Sequence, residues 1–149
     1  MEQWVLFGHV LFAIIWMGGA VYLEALAANA KRRADPLAVG VMFRDTAMMN
    51  LRLFTIAGGL VILTGLWLVV LAGWKFENLW VAISIVLVGT TVTIDLFYTA
   101  PRTRAALDLI DERGAADADV RELIDQVFTA GHIRLGLLLA VLFLMIFRP

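Results

Sequence analysis

The sequence predicts an all-α protein: an integral membrane four-helix bundle with a cytoplasmic amphipathic helix between spans 3 and 4. Three observations carry this reading. Of 149 residues, 62% are hydrophobic and only 17% charged, where soluble domains are about half apolar and a quarter charged. The mean hydropathy is +0.87. The charged residues are also bunched, so that four long stretches are left nearly free of them. A single membrane domain, 1–149, accommodates all four.

Span 1 is expected over about 4–27. Between Glu2 and Glu24 lie 21 residues without Asp, Glu, Lys or Arg, and about 20 apolar residues cross a bilayer as helix. The closing Ala-Leu-Ala-Ala-Asn-Ala has a faint likeness to a leader-cleavage site. No Lys or Arg precedes the run, however, and it exceeds the about 7–15 residues of a signal core, so a retained span is expected. The basic cluster Lys31-Arg32-Arg33 follows. Asp35-Pro36 reads as a helix start, Asp as the N-cap and Pro in the first turn. A surface helix over 36–50 then leads into span 2.

Span 2, about 53–74, lies within 22 uncharged residues between Arg52 and Lys75. Gly58-Gly59 and Thr64-Gly65 are small groups of the kind that line membrane helix contacts. The link 75–77 is so short that spans 2 and 3 are expected to form an antiparallel hairpin. Span 3, about 78–100, contains Asp95 near its far end, and Pro101 marks its exit or a kink. Val120, Leu123, Ile124, Val127 and Phe128 recur at helical spacing and define the amphipathic helix, expected on the membrane surface or capping the bundle. Asp119 and Glu122 have capping-box spacing. Span 4, 131–147, is the shortest, and Arg134 is expected to snorkel from it.

Ten of the twelve Lys and Arg fall on the side of the 1–2 and 3–4 connections. The positive-inside rule then places both termini outside the cell's inner membrane and the long connections in the cytoplasm. Trp4, Trp74 and Trp80 suit an interfacial belt on the outer side. The net charge of −1 and the lack of a basic arm exclude nucleic acid as a partner. With no cysteine there is no thiolate metal site or disulfide.

This topology sorts the polar residues by depth. His9 is the titratable group within span 1, and intramembrane ionisable residues are site candidates by default. Trp16 is seven residues on, on the same helix face. Gly18-Gly19 lets a neighbour approach. Ser84, Thr64, Trp67 and Met145 complete the outer set. Glu24, Arg52, Asp95, Tyr98, Arg102, His132 and Arg134 form an inner set, most simply joined by salt bridges. His9 and His132 differ in height by about 20 Å or more, so one haem held between them is geometrically poor. His9 reads either as a polar group bonded to a neighbouring carbonyl or as a ligand. As a ligand it would hold a haem iron, with Trp16, Gly19 and Trp67 around the macrocycle and Met145 as a candidate second axial ligand.

The stretch His9-x6-Trp16-x-Gly18-Gly19-x2-Tyr22 resembles the first helix of a group of small membrane proteins. The group comprises the predicted-membrane-protein family DUF2269, the membrane domain of the copper resistance protein CopD, the HemJ-type protoporphyrinogen oxidase and the membrane part of a urate oxidase. Met49-Asn50-Leu51-Arg52-Leu53-Phe54 resembles the start of the second helix in HemJ. Thr64-Gly65-Leu66-Trp67 and the closing Leu144-Met145-Ile146-Phe147-Arg148-Pro149 resemble DUF2269, as do the length and span pattern of the whole chain. The resemblance implies a four-helix bundle, with His9 at the position linked to haem b in HemJ. It departs from HemJ where Glu24-Ala25 replaces Pro-Arg and where Val81-Ala82-Ile83, without a lysine, follows Trp80. A carboxylated tetrapyrrole substrate wants cationic partners, so protoporphyrinogen oxidation is not implied.

The leading expectation is a small b-type haem membrane protein in electron transfer or redox chemistry, served by a redox partner protein. The first alternative is a CopD-like copper-handling protein, using His9 with Met17 or Met145 as soft ligands. The second is a non-catalytic subunit that docks a partner through its glycine faces and the 120–128 helix. The size also allows a homodimer.

Overall fold

The computed structural model describes residues 2–32, 35–74 and 78–147. Arg33, the 75–77 link and Arg148-Pro149 lie outside the described residues. The chain forms α1 (Glu2–Arg32), α2 (Pro36–Leu71), α3 (Leu79–Ile94), a π turn (Asp95–Thr99), α4 (Ala100–Arg113) and α5 (Ala118–Phe147). Among the described residues, four helical runs are long and apolar enough to cross a membrane: Glu2–Asn29, Leu51–Leu71, Leu79–Arg113 and Ala118–Phe147. Large apolar side chains cover their outer faces, among them Ile14, Ile56, Leu63, Val70, Val86 and Phe97. That is the surface a bilayer requires.

Local chemistry explains the ends. Asp35 accepts the Leu37 amide at 3.0 Å and caps α2 ahead of Pro36. The expected capping box at Asp119 is displaced by two residues. Asp117 accepts the Asp119 amide at 2.9 Å, and its carbonyl accepts from Arg121. Asp119 lies in the first turn and pairs with Arg113 at 2.8 Å. Gly114, at φ +90°, ends α4 in a conformation that L side chains rarely adopt.

The helices are longer than the spans that charge gaps suggest. The 36–50 segment and span 2 are one unbroken helix, because no residue between them interrupts helical hydrogen bonding. Pro101 does not end span 3. The π turn accommodates it: the Ala100 amide reaches back to the Asp95 carbonyl, and the helix continues to Arg113. The amphipathic segment is likewise not a separate cytoplasmic helix. It is the first third of α5, and its Val120 and Ile124 are buried against Phe43 and Ala47 of α2 and Ala106 and Ile110 of α4. Its stripe is therefore occupied within the chain and does not offer a docking face.

The bundle packs in the order α2, α1, α5, α3. Spans 2 and 3 do not form the packed hairpin that their short link suggests. The Trp74 and Trp80 rings meet at 5.0 Å near that link. Beyond it α2 lies on α1, whereas α3 lays Val81, Ser84 and Thr91 on α5.

The α1–α2 interface has a register of seven. Trp16 covers Gly58, where a Cβ would stand 3.2 Å from the indole. His9 covers Gly65, where a Cβ would stand 3.0 Å from the imidazole. Gly19 meets Leu53 and Phe54, whereas Gly18 and Gly59 have no atom within 4 Å of a Cβ. Lipid gives helices no hydrophobic reason to associate, so such close ring-on-backbone contact is the main attraction. Gly58→Leu should therefore cost about 1–3 kcal/mol by overpacking and lower the thermal midpoint of the detergent-solubilised protein. Gly59→Ala should stay within about 0.5 kcal/mol of wild type.

Candidate functional site

The structure places the sequence-selected polar residues in two separate sites and leaves several in neither. The first site is His9. The helix register buries it at 8% exposure, and its Nδ1 lies 3.1 Å from the Val61 carbonyl and 3.1 Å from Thr64 Oγ1. The Thr64 hydroxyl donates its proton to the Leu60 carbonyl at 2.6 Å. Its oxygen can then only accept from the ring, and the Val61 carbonyl can only accept. Nδ1 therefore carries the proton, and Nε2 keeps a lone pair with no hydrogen-bond partner among the described residues. An imidazole oriented by an Nδ1–H bond to a carbonyl is the usual geometry of a metal-bound histidine.

The expected surroundings of a haem are less complete. Trp16 is 3% exposed and committed to the core with Ala20, Phe54 and Leu138. Gly19 is a packing contact. Trp67 is 52% exposed on the outside of the bundle. Met145 is half-buried near the end of α5. Met17 is eight residues along α1, about 12 Å from His9, too far to share an ion with it. Among the described residues, no group of three or more His, Asp or Glu is placed to hold a metal. Of the residues expected around a haem, only the His9 imidazole is left with an uncommitted donor atom.

The second site lies at the connector end, where the 1–2 and 3–4 connections are. From His9, 15 residues of helix lead to Glu24, about 22 Å, so the two histidines belong to different sites. Glu24 Oε2 faces His132 Nε2 at 3.2 Å. Arg134 Nη1 donates to Asp95 Oδ1 at 2.9 Å, and its guanidinium lies 4.3 Å over the Phe54 ring. Gly131 permits this arrangement, because a Cβ there would overlap the Glu24 carboxylate.

Arg134 does not snorkel. It is 6% exposed, held inward by Asp95, which the π turn carries to it. Tyr98 and Arg102 form a separate pair, with the guanidinium 3.5 Å from the ring centroid and Arg102 Nε bonded to Gln126 at 2.8 Å. Arg52 is exposed.

Sequence reasoning missed Thr46, Thr99, Thr103 and Gly131 at this site. It also placed Arg134 at the right depth without making it central. The signal was present: Asp95 and Arg134 each interrupt an apolar stretch at the same depth.

A bundle of four long apolar helices with polar groups at two depths defines a multi-span membrane protein. The family model described as "Predicted integral membrane protein (DUF2269)" matches residues 3–149, and the chain belongs to that family. No curated protein and no solved structure matches it.

Arg134→Leu would leave Asp95 buried without its partner. The expected cost is about 3–5 kcal/mol, read as a lower unfolding midpoint. Asp95→Leu added to it should recover most of the loss, because no lone charge then remains.

Proposed function

We propose that this protein is a small membrane redox protein that holds haem b through His9 Nε2. The observation that supports this most is the fixed tautomer of a buried imidazole. Nδ1–H is spent on Val61 and Thr64, and the remaining lone pair is left for a metal. A haem bound there would supply one-electron exchange. The chain's own residues would orient the ligand: the Val61 carbonyl and Thr64 hydroxyl fix the ring plane and raise its basicity, and Gly65 leaves the space the ring occupies. Trp16 and Gly19 are committed to helix packing.

Ten of twelve Lys and Arg on the connector side support an inner-membrane orientation with that end in the cytoplasm and both termini outside. The absence of a second soft ligand near His9 on α1 weighs against copper handling.

The visible spectrum of the purified protein, oxidised and dithionite-reduced, tests the reading. Wild type should show a Soret band with α and β bands on reduction. His9→Ala should lose them while keeping its helical circular dichroism. Colourless protein from haem-replete cells, or bands unchanged in His9→Ala, would sink the proposal.

A further inference from the structure

The connector end of the bundle holds a partly open, mostly apolar cavity of about 70 Å³. A water molecule needs about 10–15 Å³ of such space, so several fit. Five elements wall it with polar groups: Glu24 from α1, Thr46 from α2, Thr99 from the π turn, Thr103 from α4 and Arg134 from α5. Three of these present a buried atom without a hydrogen bond: Arg134 Nε, Glu24 Oε2 and Thr99 Oγ1. Thr99 Oγ1 lies beside Asp95, but out of hydrogen-bonding geometry. These atoms have almost no accessible surface themselves, so water in the neighbouring space reaches them only when the side chains around it shift.

One exposed side chain lies against Glu24. The His132 side chain is 67% exposed, while that of Glu24 is 12% exposed. His132 Nδ1–H donates to the Phe128 carbonyl at 2.7 Å. Nε2 is therefore the nitrogen that takes up and releases a proton, and it faces Glu24 Oε2 at 3.2 Å. The contact is at ion-pair distance but outside hydrogen-bond geometry, so a small reorientation of either side chain brings the two atoms into line for proton transfer.

We propose that His132, Glu24 and the water-sized cavity form a proton-loading site: His132 collects a proton from the aqueous side and Glu24 stores it inside the bundle. In the first step Nε2 binds a proton from water and the ring becomes imidazolium. In the second the proton moves to Glu24 Oε2, leaving neutral imidazole and a neutral carboxylic acid. Water in the cavity then joins that acid to the groups around Arg134. The charged groups facing Glu24 are His132 and Arg134 from α5 and Lys31 from its own helix. Asp95 is held on Arg134. From α2 the cavity receives Thr46 and Phe54, and from α4 Thr103, none of them charged. Arg134 and Asp95 cancel, so the charge that changes is that of Glu24. The site stands independently of the haem reading; where both hold, it supplies the protons that a redox reaction takes up.

The test uses the full chain in phosphatidylcholine nanodiscs, without added haem. Infrared difference spectra on lowering the pH should show a carboxylic-acid C=O band that shifts in D₂O and is absent in Glu24→Gln. In His132→Ala the band should reach its wild-type amplitude. Its appearance after a pH jump should slow by about tenfold or more, and imidazole in the buffer should restore the rate. Selective ¹³C-carboxyl labelling of glutamate reads Glu24 in unsubstituted protein by solid-state NMR, should Glu24→Gln fail to fold. A band that survives Glu24→Gln, a Glu24 carboxyl signal that does not move with pH, or wild-type uptake in His132→Ala would overturn the proposal.

Discussion

The seating of two α1 rings on two α2 glycines is the constraint from which the other distances follow. Trp16 on Gly58 and His9 on Gly65 repeat at seven residues on each helix and lock a single antiparallel register. With that register set, His9 has to meet Val61 and Thr64, and Glu24 is delivered to the depth of Gly131. In water such a pair would also gain from burying apolar area. In lipid that gain is absent, and close backbone approach with a few polar bonds takes its place. The imidazole is thus both a packing ring and a tether, which is why its tautomer is settled by the helix that it packs on.

The two polar sites differ in kind. At His9 a single neutral ring is held by neutral acceptors, and one nitrogen is left over. At the connector end Glu24 and Arg134 line a small cavity and are paired with His132 and Asp95, which lie outside its lining, with Arg134 bridging from α5 to the π turn. An ion pair in a low-dielectric setting contributes little net stability, but losing one partner is expensive. The Asp95–Arg134 pair therefore specifies how α3 sits on α5 more than it strengthens the fold. The Glu24–His132 pair, with one member exposed, is not bound by the same constraint.

Much of the architecture was legible in the chain. Charge-free stretches located the four spans, and Asp35-Pro36 marked the start of α2, because these are local properties. Continuity was not legible. Polar composition between 36 and 50 and between 103 and 130 reads as surface, yet those segments extend α2, α4 and α5 into a second packed layer through Phe43, Ala106, Val120 and Ile124. The short 75–77 link suggested a hairpin, but link length constrains only where two helices begin. It does not decide that α3 will find its small-residue face better matched by α5. Four glycines in two pairs also looked equivalent in sequence. Only helix rotation shows that Gly58 and Gly19 face a neighbour and that Gly59 and Gly18 do not. At the sites, His9 and Glu24 were legible as titratable groups in the wrong solvent, whereas the threonines around the cavity had no comparable signal.

The π turn at Asp95–Thr99 amounts to one surplus residue in an otherwise regular helix. It keeps two faces in phase: Val81, Ser84 and Thr91 toward α5 on one side, Thr103, Ala106 and Ile110 toward the second layer on the other. A regular helix turns about 100° per residue. Removing a single residue here would therefore leave both halves helical while pointing one of them the wrong way. Length at this point is a phase setting, a role separate from the ion pair that Asp95 makes there.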